Sequence, residues 1–147
     1  LDVEKDSVKA IKWYKKASAE NLEFSRDELK KTAIVRDVKE KHHEIMILPT
    51  KVKKCTVTTI GNYAFSKSSI KSIEIPEGVT TIENYAFAQC DSLVEIVLPT
   101  SIVSIEENAF QGSTSLSKIL IPSGTRNKFA SMAGLKDMED KLNETNI

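Results

Sequence analysis

Few residues in this chain have the types and spacing that chemistry needs. His42 and His43, with Glu40 and Glu44 beside them, are metal ligands by type. Adjacent residues point to different faces of a helix or strand, so two such imidazoles rarely reach one ion. No His-x-x-x-His or Cys-x-x-Cys spacing supports them. A solvated helix end is the favoured reading, and no metal is assigned. Trp13-Tyr14 has the rings of a sugar-stacking platform, but at helical spacing such a pair packs against a neighbouring helix. Lys51-Val-Lys-Lys54 is a basic cluster that reads as a solvated loop rather than a phosphate site. Glu106-Glu107 brings two carboxylates together, in a polar turn. The only histidines adjoin each other with no nucleophile beside them, and no Gly-x-Ser-x-Gly, P-loop or dinucleotide fingerprint occurs. The expectation is a protein that is not an enzyme and carries no cofactor; catalysis would need residues scattered through the chain.

The bulk properties narrow the class. At 147 residues the chain suits one domain with a continuous core. Its 21 basic and 21 acidic residues cancel, which argues against nucleic acid or an anionic membrane as partner. No apolar run approaches the ~20 residues needed to span a bilayer, so no membrane insertion is expected. No signal peptide is visible, and the chain begins at Leu1 rather than Met, as a mature form or excised fragment would. Cys55 and Cys90 sit at unmatched places and read as small buried thiols rather than a disulfide.

The elements that would position any site come from an internal repeat. Ile60-Gly-Asn-Tyr-Ala-Phe65, Ile82-Glu-Asn-Tyr-Ala-Phe87 and Ile105-Glu-Glu-Asn-Ala-Phe110 share Ile-x-x-x-Ala-Phe at a period of 22–23 residues. A period of that length marks a solenoid. Each copy is joined to an alternating strand that ends in proline: Ile70-Lys-Ser-Ile-Glu-Ile-Pro76, Leu93-Val-Glu-Ile-Val-Leu-Pro99 and Leu116-Ser-Lys-Ile-Leu-Ile-Pro122, with Glu44-Ile-Met-Ile-Leu-Pro49 as a shorter relative. Alternation marks half-buried strands, and proline stops a ladder because it has no N–H to donate. Val79, Ile82, Ile102 and Ile105 should turn inward on the opposite wall, with the Ala-Phe pairs stacked between the walls. One coil cannot bury such a phenylalanine, but a neighbouring coil can. Lys51 to Thr56 read as an insertion in an irregular first coil.

The flanks read as helical. Ala10, Ile11, Tyr14 and Ala17 recur at helical spacing after a cap at Asp6 or Ser7. A second helix is expected after a capping box of Ser25 and Glu28, placing Leu29, Ala33 and Val38 on one face. The β-branched stretch from Ala33 to Val38 leaves a strand as the alternative. After the Ser123-Gly-Thr turn, Phe129, Met132, Met138 and Leu142 form an apolar stripe, with Gly134 as a break, suited to covering the last coil. The expected architecture is therefore α+β: an α/β solenoid of three to four coils over residues 44–122, with helical caps at 1–43 and 123–147.

These motifs resemble the BspA-type leucine-rich repeats over about residues 44–129. The resemblance rests on Leu-x-x-Ile-x-Leu-Pro, then Ile-x-x-Ile-x-x-x-Ala-Phe, then a Ser- or Cys-bearing turn such as Ala88-Gln-Cys-Asp-Ser-Leu93, and on the Ile-Pro-Ser-Gly-Thr ending. It implies a curved right-handed superhelix with strands on one wall. It also implies a bacterial cell-surface or secreted adhesion role, with a protein or peptide partner such as a host surface protein. Arrays in this family often run to many coils, so the short array here departs from the pattern. Lys9-Ala-Ile-Lys-Trp-Tyr-Lys-Lys-Ala-Ser-Ala-Glu-Asn21 is similar to half of a Sel1-type helical repeat, which implies a scaffold for protein assembly.

Counting back from each proline assigns the strand faces. Met46, Ile73, Ile96 and Ile119, then Leu48, Ile75, Leu98 and Ile121, should be core. The outward rows are Ile47, Glu74, Val97 and Leu120, beside Ile45, Ser72, Glu95 and Lys118. Three apolar members of four in one outward row suggest a partner site, although β-branched residues also populate exposed strands for propensity alone. The candidate contact residues are Ile47, Glu74, Glu95, Val97, Lys118 and Leu120. The first expectation is a non-catalytic protein-interaction or adhesion module, and the second a structural spacer in a larger surface protein. A carbohydrate-binding or hydrolytic module ranks last, because the array's aromatics sit mainly at the inward Ala-Phe positions.

Overall fold

The computed structural model describes residues 21–38 and 44–145. The Sel1-like stretch, Trp13-Tyr14, Glu40 and His42-His43 lie outside the described residues. Among the described residues, strands dominate. They are β1 (Leu22–Asp27), β2 (Thr32–Val38), β3 (Ile45–Ile47), β4 (Lys51–Val52), β5 (Cys55–Ile60), β6 (Ser72–Glu74), β7 (Thr81–Ile82), β8 (Glu95–Val97), β9 (Ser104–Ile105), β10 (Lys118–Pro122) and β11 (Leu142–Thr145). One short helix, α1 (Arg126–Ala130), and two 3-10 turns, Ala133–Leu135 and Glu139–Lys141, complete them.

The chain winds about five times between two sheets. One wall is ordered β3-β6-β8-β10-β11; the other is ordered β1-β2-β5-β7-β9, with β4 paired to β5. Apart from the β1–β2 and β4–β5 hairpins, all pairings are parallel. The alternating strands put Met46, Ile73, Ile96, Ile119 and Leu142 in one buried in-register row. Val79, Ile82, Ile102 and Ile105 are buried on the opposite wall. Between the walls Phe65, Phe87 and Phe110 stack with centroids 5.1 and 5.5 Å apart, so each ring is buried by the next coil.

Within the described residues, the second N-terminal helix and the C-terminal helical cap give way mainly to strand, and the α/β description gives way to a β-solenoid; the first expected helix, around Ala10 to Ala17, lies outside the described residues. The capping box at Ser25 and Glu28 is not used. Asp27 instead accepts the Leu29 and Lys30 N–H groups at 3.1 and 3.0 Å, closing a hairpin turn, and Leu29 is 97% exposed. The first coil's β5 needs a backbone partner on its open side. Thr32 to Val35, at the start of a β-branched run, supply it as a strand. Gly61 stands where the next copies carry Glu83 and Glu106. A Cβ there would lie 2.8 Å from the Val35 carbonyl oxygen, so the hairpin leaves room for glycine alone.

At the other end the apolar stripe is inward, with Phe129, Met132 and Leu142 buried, but the helix under it spans only five residues. Thr125 stands at its N-cap yet spends its hydroxyl on the Pro122 carbonyl. Leu142 is not helical: β11 pairs with β10 from Ile119↔Leu142 to Pro122↔Thr145. A helix has no spare backbone groups to satisfy a sheet edge, whereas a strand does. These terminal strands raise the coil number above the three to four read from the consensus copies.

Candidate functional site

The predicted site residues come together on the outer face of the β3-β6-β8-β10-β11 wall. Register sets Ile45, Ser72, Glu95 and Lys118 in one row, and Ile47, Glu74, Val97 and Leu120 in the next. Asn143 of β11 continues the second row. Ile45, Glu74 and Lys118 are exposed, while Ser72, Glu95, Ile47, Val97 and Leu120 are half-buried. Parallel strands hold such side chains at ~4.8 Å intervals. The result is an apolar strip interrupted by Glu74 and edged by the charges of Glu95 and Lys118. Glu44 pairs with Lys71 at 3.2 Å at the wall's margin, and among the described residues no group of His, Cys, Asp and Glu could hold a metal ion.

The remaining chemical candidates have structural roles. Lys51–Lys54 forms the tip of the β4–β5 hairpin. Lys53 and Lys54 both adopt positive φ, as a tight two-residue hairpin turn requires. Glu106 accepts the Asn84 N–H at 3.1 Å, as Glu83 accepts that of Asn62 at 3.2 Å, so this carboxylate position ties each coil to the preceding one. Cys55 and Cys90 are buried thiols. Among the described residues, Glu77 is the one carboxylate whose acidity is shifted. Desolvation would raise its pKa, but hydrogen bonds from the Thr100 N–H and hydroxyl, with Ser101 adding to them, outweigh it and lower the pKa.

A second surface escaped the sequence reading. Tyr63 and Tyr85 stack in the solvent-facing turn with ring centroids 5.0 Å apart and planes 12° from parallel. Tyr63 is 59% exposed. Both residues hold positive φ, 62° and 64°, which costs an L-residue roughly 1 kcal/mol each. A tyrosine at the same offset before Ala-Phe in two consecutive copies is the sequence signal for it. Beside the pair runs a groove of about 340 Å³, lined also by Ser66, Lys67, Ala88, Gln89, Gln111 and Gly112. A larger groove, about 640 Å³, lies between β9 and the terminal segment and includes Ser104, Glu106, Lys128 and Met132.

The repeat geometry agrees with a family model. The BspA type leucine rich repeat region matches residues 48–139 in six copies. The chain belongs to the BspA-type leucine-rich repeat family. Among solved structures, this BspA-type chain is similar to a leucine-rich repeat protein from Bacteroides capillosus: 25% identity, TM-score 0.66, covering 86% of this chain and 91% of that one. The T. pallidum leucine-rich repeat protein shares 23% identity at TM-score 0.65, over 70% of this chain and 51% of its own. A leucine-rich cell surface protein from Faecalibacterium prausnitzii shares 21% identity at TM-score 0.51, over 80% and 42%. The chain thus spans about half of the T. pallidum protein and less of the F. prausnitzii one. The last two likenesses concern fold alone. No curated protein matches the chain.

Proposed function

We propose that this chain is a non-catalytic protein-interaction module that holds a protein or peptide partner on its outer strand wall. The observation that carries the reading is the in-register row of Ile47, Glu74, Val97 and Leu120 beside Ile45, Ser72, Glu95 and Lys118. The mechanism is rigid display. The strands fix the contact side chains before binding, so little ordering entropy is lost when the partner docks. Val97 and Leu120 give the apolar centre, while Glu74, Glu95 and Lys118 orient the partner by charge. A surface or secreted location with an adhesion role belongs to the same proposal. It is supported by the family and by a structural neighbour described as a cell surface protein.

The test is a pull-down from source-organism and host extracts, comparing wild type with a Val97→Asp/Leu120→Asp variant of matched circular dichroism and melting temperature. A partner captured by wild type and lost by the variant is the expected result. Equal capture by both removes the site from this wall. Capture by neither favours a spacer that projects other parts of a longer protein.

A further inference from the structure

We propose that the Tyr63–Tyr85 turn face is a second, separate binding site, built for an oligosaccharide chain lying along the solenoid axis. The rings stack coil on coil, and Tyr63, at 59% exposure, offers an aromatic surface to solvent. Both tyrosines occupy backbone positions with φ above 60°, where glycine or asparagine is the easier choice. The third copy places Asn108 at this offset without a positive φ, so the left-handed backbone is particular to the two tyrosine copies. Backbone preference therefore does not explain the tyrosines, and their side chains must.

The groove beside the rings supplies matching chemistry. Gln89 and Gln111 bring side-chain amides that both donate and accept, the tyrosine hydroxyls do the same, and Lys67 is the one charged liner. A sugar presents C–H faces to aromatic rings and hydroxyls to amides. A nucleic acid would need several cations along its phosphates. A peptide anchor would need a deep apolar pocket, and the groove's aliphatic lining is limited to Ala88. The floor is pinned across coils. The Lys67 N–H donates to the Ala88 carbonyl at 2.9 Å, the Tyr85 N–H to Asn108 at 3.1 Å, and the Gln89 N–H to Gln111 at 2.8 Å. The three coils thus hold the liners at a fixed repeat, suited to successive units of a chain.

The experiment probes the full 147-residue chain against an array of defined neutral and carboxylate-bearing oligosaccharides, followed by titration of the best binder. Wild type is expected to retain at least one oligosaccharide. Tyr63→Asn/Tyr85→Asn, which keeps a residue tolerant of positive φ, should weaken binding at least tenfold without lowering the melting temperature. Gln89→Ala/Gln111→Ala, which leaves the rings in place, should also weaken it. Val97→Asp/Leu120→Asp should leave it unchanged, which separates this site from the strand wall. No oligosaccharide retained, or equal affinity in folded tyrosine and glutamine variants, overturns the proposal.

Discussion

At one repeat position, the side chains of Cys90 and Ser113 stitch the coils together, while Ser68 accepts the Ile70 N–H at 3.3 Å within its own coil. Ser68, Cys90 and Ser113 follow the three stacked phenylalanines at equal offset, and all are buried. The Cys90 thiol donates to the Phe65 carbonyl at 3.0 Å. The Ser113 hydroxyl donates to the Phe87 carbonyl and accepts the Cys90 N–H at 2.9 Å. Each small polar group thus satisfies backbone that the turn removes from water. Ser113→Ala leaves that carbonyl and that N–H without this partner, and should destabilise the fold by about 1–3 kcal/mol. Cys90→Ser keeps a donor for Phe65 and should cost less. Urea unfolding of both variants checks the order; an unchanged Ser113→Ala midpoint would refute the role. The turn's Ser-or-Cys pattern was plain in the sequence. Its reason was not, because the acceptor sits one coil away.

At the scale of elements, the inner strands were legible and the ends only in part: the β-branched run from Ala33 to Val38 offered the strand that became β2, but its hairpin partner and β11 were not legible. Alternation and the terminal prolines located β6, β8 and β10, because each copy sees the same neighbours. The N-terminal hairpin and β11 see different ones. Their conformation is decided by an open sheet edge that needs backbone partners, and no window of local sequence contains that edge. The terminal segment illustrates the point at Gly134. Its backbone lies so close to β9 that an added Cβ would sit 2.5 Å from the Glu106 carbonyl oxygen and collide with the Ile105 side chain. Sequence alone offered this glycine only as a helix break; its structural service is close approach. Gly134→Ala should force the segment off β9 and lower stability by about 1–3 kcal/mol. A thermal melt reads the effect. A melting temperature equal to wild type would mean that the segment yields freely and contributes little to closing the solenoid.

For the whole molecule, the repeat implies that stability is a sum of coils and their interfaces. Removing residues 77–99 excises one full period and joins Pro76 to Thr100, the same junction that Pro99 makes with Thr100. β6 then meets β10, and β7 is removed so that β5 meets β9, with every inward row still in register. The shortened chain should remain folded, with lower stability and a smaller urea m-value, since m follows the surface exposed on unfolding. Removing residues 77–88 instead takes away half a period and leaves strand facing turn, so that chain should not fold. If the two deletions behave alike, the coils are not interchangeable units. The full-period deletion also removes Tyr85, Gln89, Glu95 and Val97 while sparing Tyr63, Ile47 and Leu120. Both proposed surfaces are shortened by one rung without being dismantled. Weakened rather than abolished binding in that chain would therefore be the signature of surfaces that work by repetition along the axis.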